Sequence, residues 1–140
     1  MSKVKGKLRQ QIFQAANLQC EYCRSLQDFL MADLEIDHIL PKVKNGKTVF
    51  ENLCAVCRKC NERKGTLIEA VDPVSGENSP LFNPRTQIWS AHFKFSVDGG
   101  FILGKTAMGR ATVETLELNR KRAVLLRRMW IKAGWRPPKA

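Results

Sequence analysis

"NLCAVCRKCN", residues 52–61, sets three cysteines at steps of three: Cys54, Cys57 and Cys60. A two-residue gap lets one tight turn present two sulfurs to one metal ion, and both Cys54/Cys57 and Cys57/Cys60 have that gap. A further pair, Cys20 and Cys23, lies more than thirty residues upstream. Two such turns make a closed tetrahedral site for a structural Zn²⁺, because thiolate suits the soft end of zinc's preference. They would clamp distant parts of the chain together. Cys54 follows Leu53 and precedes Ala55-Val56, a setting in which a free cysteine behaves as a small buried hydrophobe. Cys57-Arg58-Lys59-Cys60 has the charged interior of an exposed knuckle. The residues alone favour Cys57 and Cys60 over the other register without excluding it.

At 140 residues the chain is expected to form one domain, 1–140, large enough to bury about two-thirds of its unfolded surface. An apolar fraction of 44% argues against disorder. No stretch approaches the apolar length of a membrane span. "MSKVKGKLRQ" has charge but no apolar h-region. Five cysteines without an export signal point to the cytoplasm, where paired Cys-x-x-Cys turns bind metal more often than they form disulfides. The formal charge is +11, with 105–140 contributing +8, 38–64 contributing +5 and 20–37 contributing −4. An excess of that size implies a polyanionic partner, of which nucleic acid is the commonest. The plainer alternative is a basic protein that is merely soluble.

Leu8, Ile12, Ala15 and Ala16 share one helical face and predict an amphipathic helix ending near Asn17. "LEIDHIL" predicts a strand from about Asp33 to Ile39, stopped by Pro41. "KVKNGKT" reads as a turn, a second strand runs through Ala55-Val56, and a helix opens near Cys60 to carry "NERK". "VDPVSGENSPLFNPR" reads as a loop without regular structure. "AHFKFS" and "FILGKT" flank "VDGG" and predict a β-hairpin. From Ala111 to about Ala133 one basic helix is expected, burying Leu118, Leu125, Leu126, Met129 and Trp130 and stopping at Gly134.

Cys20-x-x-Cys23, Glu35-Ile36-Asp37-His38-Ile39-Leu40-Pro41, Asn52-Leu53, Cys57-x-x-Cys60-Asn61 and Lys64 together resemble the HNH endonucleases, ββα-metal nucleases stiffened by a zinc site. The resemblance spans residues 18–66, leaving 67–140 as a C-terminal extension. It implies an α+β fold: a ββα-metal core with a four-cysteine zinc site, an N-terminal helix, and a C-terminal β-hairpin and basic helix. In the family pattern the second cysteine pair begins five residues after the Asn of Asn-Leu, which assigns zinc to Cys20, Cys23, Cys57 and Cys60 and leaves Cys54 to the core. Asn61 stands where the family name implies a second histidine, as in the His-Asn-Asn variant that includes phage junction-resolving nucleases. "PLFNPR", "W-x-x-HF" and "GRATVETLELNR" are similar to the C-terminal portion of small standalone bacterial HNH proteins.

The resemblance implies hydrolysis of DNA phosphodiesters. An unperturbed imidazole is mostly neutral at pH 7 and can accept a proton from water, so His38 is the expected general base. Asp37 and Asn61 are the expected ligands of one catalytic Mg²⁺ or Mn²⁺, an amide oxygen suiting a hard cation. Neighbours on a regular strand face opposite ways, so Asp37 and His38 can share a site only if the strand ends or twists there. Asn52 is expected to hold the metal loop through backbone hydrogen bonds. Arg58, Lys59, Arg63 and Lys64 near the motif, and Arg120, Lys121, Arg122, Arg127 and Arg128 on the basic helix, are the candidate phosphate contacts. Glu35 is either a partner of the metal ligands or a solvated strand residue, and His92 reads as structural. The alternatives are a zinc-stabilised nucleic-acid-binding module without catalysis, which would have no need of Asp37, His38 and Asn61, and an RNA nuclease.

Overall fold

The computed structural model describes residues 4–139, so the first three residues of the N-terminal decapeptide lie outside it. The chain divides into two compact units: one runs to Ile68 and takes in Asn83–Thr86, and the other is Glu69–Phe82 with the chain from Gln87 onward. Secondary structure is mixed α+β, with three two-stranded sheets. No helix among the described residues is long and apolar enough to cross a membrane.

In the first unit α1 is Gly6–Ala15, with Ile12 fully buried. It stops two residues short of the expected end because Asn17 and Leu18 both take positive φ and turn the chain into the first cysteine knuckle. A Gln19–Leu26 bridge closes that knuckle. The strands β1 (Glu35–His38) and β2 (Leu53–Val56) are antiparallel, with Asp37 opposite Cys54 and His38 opposite Leu53. All four residues of β2 are buried, so it reads as a continuous apolar run, not an alternating one. Helix α2 (Arg58–Lys64) begins directly after Cys57, completing a ββα unit.

The loop between the strands is a tight construction. Asn52 Nδ2 donates to Leu40 O at 3.0 Å and Lys47 O at 2.9 Å, and its Oδ1 accepts from Leu40 N at 2.8 Å. Gly46 lies so close that an added Cβ would stand 1.6 Å from Leu40 O, which leaves no room for any side chain.

The sulfurs of Cys20, Cys23, Cys57 and Cys60 all lie within 4.8 Å of one another and are buried. Tetrahedral Zn–thiolate ligation with bonds near ~2.3 Å places sulfurs about 3.8 Å apart, and Cys23 Sγ and Cys57 Sγ are separated by 3.8 Å. Burial raises the Cys20 thiol well above its usual range, while Cys23, hydrogen-bonded by its neighbours, is held low. Four thiolates in this space would require a cation to be ionised together, and the cluster's spacing fits zinc. Cys54 stands apart beside Tyr22 OH, its thiol pushed far up by burial. Glu21, inside the first knuckle, caps the arrangement: its Oε2 accepts from Ala55 N at 2.8 Å, and Arg85 reaches its two oxygens at 2.7 and 3.1 Å.

The second unit contains β3 (Glu69–Val71) and β4 (Asn78–Pro80), the short helix α3 (Trp89–His92), β5 (Phe93–Phe95), β6 (Ile102–Gly104), α4 (Ala107–Thr115) and α5 (Lys121–Lys132). The β5–β6 hairpin matches expectation, whereas two others do not. The stretch from Val71 to Arg85, expected to be an irregular loop, holds β4 and the last residue of β3, which pair antiparallel. Its turn is built by Asp72, whose carboxylate accepts from Val74 N at 3.1 Å and Ser75 N at 3.2 Å. The single C-terminal helix is two, broken because Glu117 takes a left-handed φ of 49° and Leu118 drops fully into the core. That break rotates the second helix. Leu118 is buried as expected and Trp130 half-buried, but Leu125, Leu126 and Met129 face solvent at 58%, 37% and 54% exposure. The inward positions of α5 are Ala123, Val124 and Arg127.

An aromatic cluster joins these pieces, with Trp89 stacked on Phe93 at 5.0 Å and Phe82 edge-on to Phe93 at 5.2 Å. His92 is structural here: its Nδ1 lies 2.7 Å from Thr106 Oγ1, the hydroxyl that caps α4 by accepting from Gly109 N.

Two predictions follow from these contacts. Cys57→Ser and Cys60→Ser should each lower zinc content, read by metal analysis of the purified protein, and loosen the first unit, since a structural site supplies folding free energy. Cys54→Ala should keep its zinc and cost roughly 1 kcal/mol as a small core truncation. The second concerns Asp72, which is buried and paired with Arg110 Nε and Nη2 at 2.9 and 2.8 Å, a contact that holds its carboxyl well below the usual range. A depressed folded-state pKa adds stability above the unfolded value, near ~3.9, and loses it as pH falls through the folded value. The gap in urea midpoint between the parent and Asp72→Asn should therefore be wide at pH 7 and shrink below about pH 4. Fluorescence of Trp89, Trp130 and Trp135, all in this unit, reports it.

Candidate functional site

The strand period of two and the helix period near 3.6 combine to build a polar seam. Glu35 and Asp37 project from one face of β1, and Arg58, Asn61 and Lys64 recur at steps of three along α2. Glu35 Oε1 accepts from Asn61 Nδ2 at 2.8 Å, and its Oε2 lies 3.3 Å from Arg58 Nε. Lys64 Nζ lies 2.9 Å from Asp37 Oδ2 and donates to His38 O at 3.3 Å. Glu35, undecided from sequence, is thus tied directly to Asn61.

Asp37, His38 and Asn61 line one cavity of about 210 Å³, walled by Pro41, Lys42 and Thr66 among others. The regular strand ends at His38, where Ile39 N turns to bond Asn52 O at 2.8 Å. His38 Nε2 lies 2.8 Å from Thr48 Oγ1. Partial burial and the Lys42 ammonium lower its pKa, against the opposing pull of Asp37. Burial raises the Asp37 carboxyl, against the lowering effect of Lys64.

Two oxygens here could serve a cation. Asp37 Oδ2 is buried and has the Lys64 ammonium beside it, an ion pair at 2.9 Å. Asn61 must turn its NH₂ toward the Glu35 carboxylate, which leaves its Oδ1 available as a donor atom to a cation. A carboxylate and an amide oxygen on one cavity are hard donors of the kind that suit Mg²⁺ or Mn²⁺. The residues fit such an ion.

The other sequence candidates separate by burial. Arg58 and Lys59 are exposed, Lys59 in a solvent-facing pair with Glu62 at 3.4 Å, and Arg63 is exposed too. Lys64 is 2% exposed and belongs to the seam, not to the surface. Arg120, Lys121, Arg122, Arg127 and Arg128 all belong to the second unit. Arg127 corrects the sequence reading. It is buried, donating to Gly100 O at 2.8 Å and to Leu118 O, so its guanidinium braces the chain break and is withdrawn from any phosphate. Arg128 pairs with Asp98 at 2.9 Å, Arg120 donates to Glu117 O at 3.3 Å, and Lys121 and Arg122 are exposed. Sequence reasoning missed Thr48 and the seam position of Lys64. The Lys64 spacing from Asn61 was a signal; for Thr48 there was none.

Residues 20–67 match the model of the HNH endonuclease family. The Septu protein PtuB of Bacillus thuringiensis is 30% identical over 122 residues, 86% of this chain and 44% of that protein. The CRISPR-associated endonuclease Cas9 of Corynebacterium diphtheriae is 47% identical over 58 residues, 41% of this chain and 5% of that protein. The chain therefore spans less than half the length of either relative. No solved structure matches it. The stretch matched by the family runs from the first cysteine knuckle through both strands and past the end of α2, so the ββα unit of residues 20–67 is the part of this chain that is similar to the HNH endonucleases.

Proposed function

We propose that the chain is a metal-dependent endonuclease that hydrolyses DNA phosphodiester bonds, and that the cavity shared by Asp37, His38 and Asn61 is its active site. The observation that carries this reading is the meeting of those three side chains on one cavity where β1 ends. Asp37 and Asn61 would hold the divalent cation. When bound, Mg²⁺ or Mn²⁺ supplies charge neutralisation on the scissile phosphate and the departing 3′ oxygen. Zinc at Cys20, Cys23, Cys57 and Cys60 is structural, and the reducing cytoplasm suits its thiolates.

His38 is the general base. In the tautomer in which Thr48 Oγ1 accepts from Nε2–H, the neutral ring carries its lone pair on Nδ1, which takes the proton from the attacking water. Partial burial keeps the imidazole neutral at pH 7 by lowering its pKa. Glu35 orients Asn61 by accepting from its amide. Asn52 holds the backbone of the loop that carries Thr48. Arg58, Lys59 and Arg63 supply phosphate contacts beside the cavity, and Arg120, Lys121 and Arg122 supply them on the second unit.

Supercoiled plasmid, branched DNA and RNA, each with Mg²⁺, Mn²⁺ or EDTA, test the activity. DNA cleavage with either metal and none in EDTA is the expected result, and cleavage of RNA alone overturns the substrate. His38→Ala should lose at least about 10²-fold in cleavage rate while still binding DNA. The acid limb of the parent's rate profile should have its midpoint below ~6.5, because protonation removes the base and the lowered pKa moves that loss to lower pH. Asn61→Ala should weaken metal binding and cleavage together; parent-like cleavage in Mg²⁺ would remove Asn61 from the ligand set. Neutralising Arg120, Lys121 and Arg122 should flatten the slope of log K against log salt by roughly two to three units, near 0.9 per duplex phosphate contact. An unchanged slope makes that surface a solvated helix face.

A further inference from the structure

Lys64 is the one lysine among the described residues that is buried. It is the last residue of α2, and Gly65 ends the helix at once with a φ of 53°. Its ammonium sits 2.9 Å from Asp37 Oδ2 and 3.3 Å from the backbone carbonyl oxygen of His38. Lys64 is not among the residues lining the cavity, so it meets neither water nor phosphate there and acts through Asp37. A phosphate-binding lysine keeps its head in solvent; this one is sealed behind the Asp37 carboxylate, its ammonium against a buried oxygen.

We infer that Lys64 is the resident counter-ion of Asp37, a positioning residue that holds the carboxylate in place when no metal is bound and sets how tightly a divalent cation binds. The inference rests on the reading that Asp37 and Asn61 are the cation's ligands. One carboxylate then serves two cations, and at a separation of a few ångströms in a partly buried site their repulsion is strong. The buried ammonium stabilises the metal-free site and weakens its hold on the ion. By linkage, the ion loosens the ammonium to the same degree.

Binding of Mn²⁺ to the zinc-loaded 140-residue chain, followed by the EPR signal of free Mn²⁺, tests this without any cleavage assay. Lys64→Met keeps the length and apolar stem and removes the charge. It should bind Mn²⁺ on the order of tenfold more tightly than the parent, with a lower Tm in the absence of the ion that Mn²⁺ restores. Equal or weaker binding by Lys64→Met, with binding abolished in Asp37→Asn, overturns the counter-ion role alone. Parent-like binding by Asp37→Asn removes the ligand reading, and this inference with it. Should Lys64→Met fail to fold, the parent answers by NMR. The ¹⁵Nζ resonance of Lys64, protected by burial, should shift with the same Mg²⁺ dependence as binding, and a resonance unmoved at saturating Mg²⁺ overturns the proposal.

Discussion

Four sulfurs within 4.8 Å of one another join positions 20–23 to positions 57–60, and the local order of the first unit follows from that contact. Once the second knuckle is fixed at Cys57, β2 must end at Val56 and α2 must begin at Arg58. Antiparallel pairing then sets Asp37 opposite Cys54. The starting angle of α2 decides which of its residues meet β1, and the answer is Arg58, Asn61 and Lys64. A knuckle built on Cys54 and Cys57 would shift the helix start by three residues and present a different set to the acids. Ligation at the four cysteines would thereby specify the geometry of the proposed active site without taking part in its chemistry.

The seam that results is electrostatically uncomfortable. Burial raises the Asp37 carboxyl and lowers the His38 imidazole, each toward its neutral form. Low-dielectric surroundings penalise an ion that lacks a partner, so the site favours whatever cation satisfies Asp37. In the metal-free chain that cation is Lys64. The same surroundings keep His38 unprotonated, the form in which it can act as a base. One physical cause, partial exclusion of water from the end of β1, therefore acts on both the proposed cation ligand and the proposed base. Sites where burial and charge push titratable groups in opposed directions are the sites where function concentrates.

What was legible in the sequence was what ligation imposes. A metal knuckle demands cysteines at fixed spacing, and an Asp-His step followed by Asn61 has few structural reasons to occur with it. The residues that complete the arrangement left weaker traces. The β3–β4 pair escaped notice because its strands are three residues long and one ends in Pro80. The break between α4 and α5 has no glycine or proline to announce it; Glu117 supplies the left-handed turn that sequence assigns to those residues. Arg85, more than sixty positions from Glu21, clamps the first knuckle through a contact that no local pattern encodes. Lys64 read as a surface cation because buried lysines are rare.

Helix α5 shows how composition and geometry part company. Its sequence suggests leucines inward and arginines outward, yet Arg127 lies inside and Leu125 and Met129 lie outside. The reason is the chain break before it. Residues 116–120 leave the carbonyls of Gly100 and Leu118 to be satisfied in the interior, and unpaired buried carbonyls are costly. A guanidinium, with five donors in a rigid fork, satisfies several at once, which no leucine can do. Arg85, Arg110 and Lys64 are likewise committed to Glu21, Asp72 and Asp37. The formal charge of +11 therefore overstates the cationic surface offered to a polyanion. Part of the basicity that first suggested nucleic acid is structural, holding buried carboxylates and carbonyls in place, and the phosphate contacts of the proposed function fall to the smaller set of cations left at the surface.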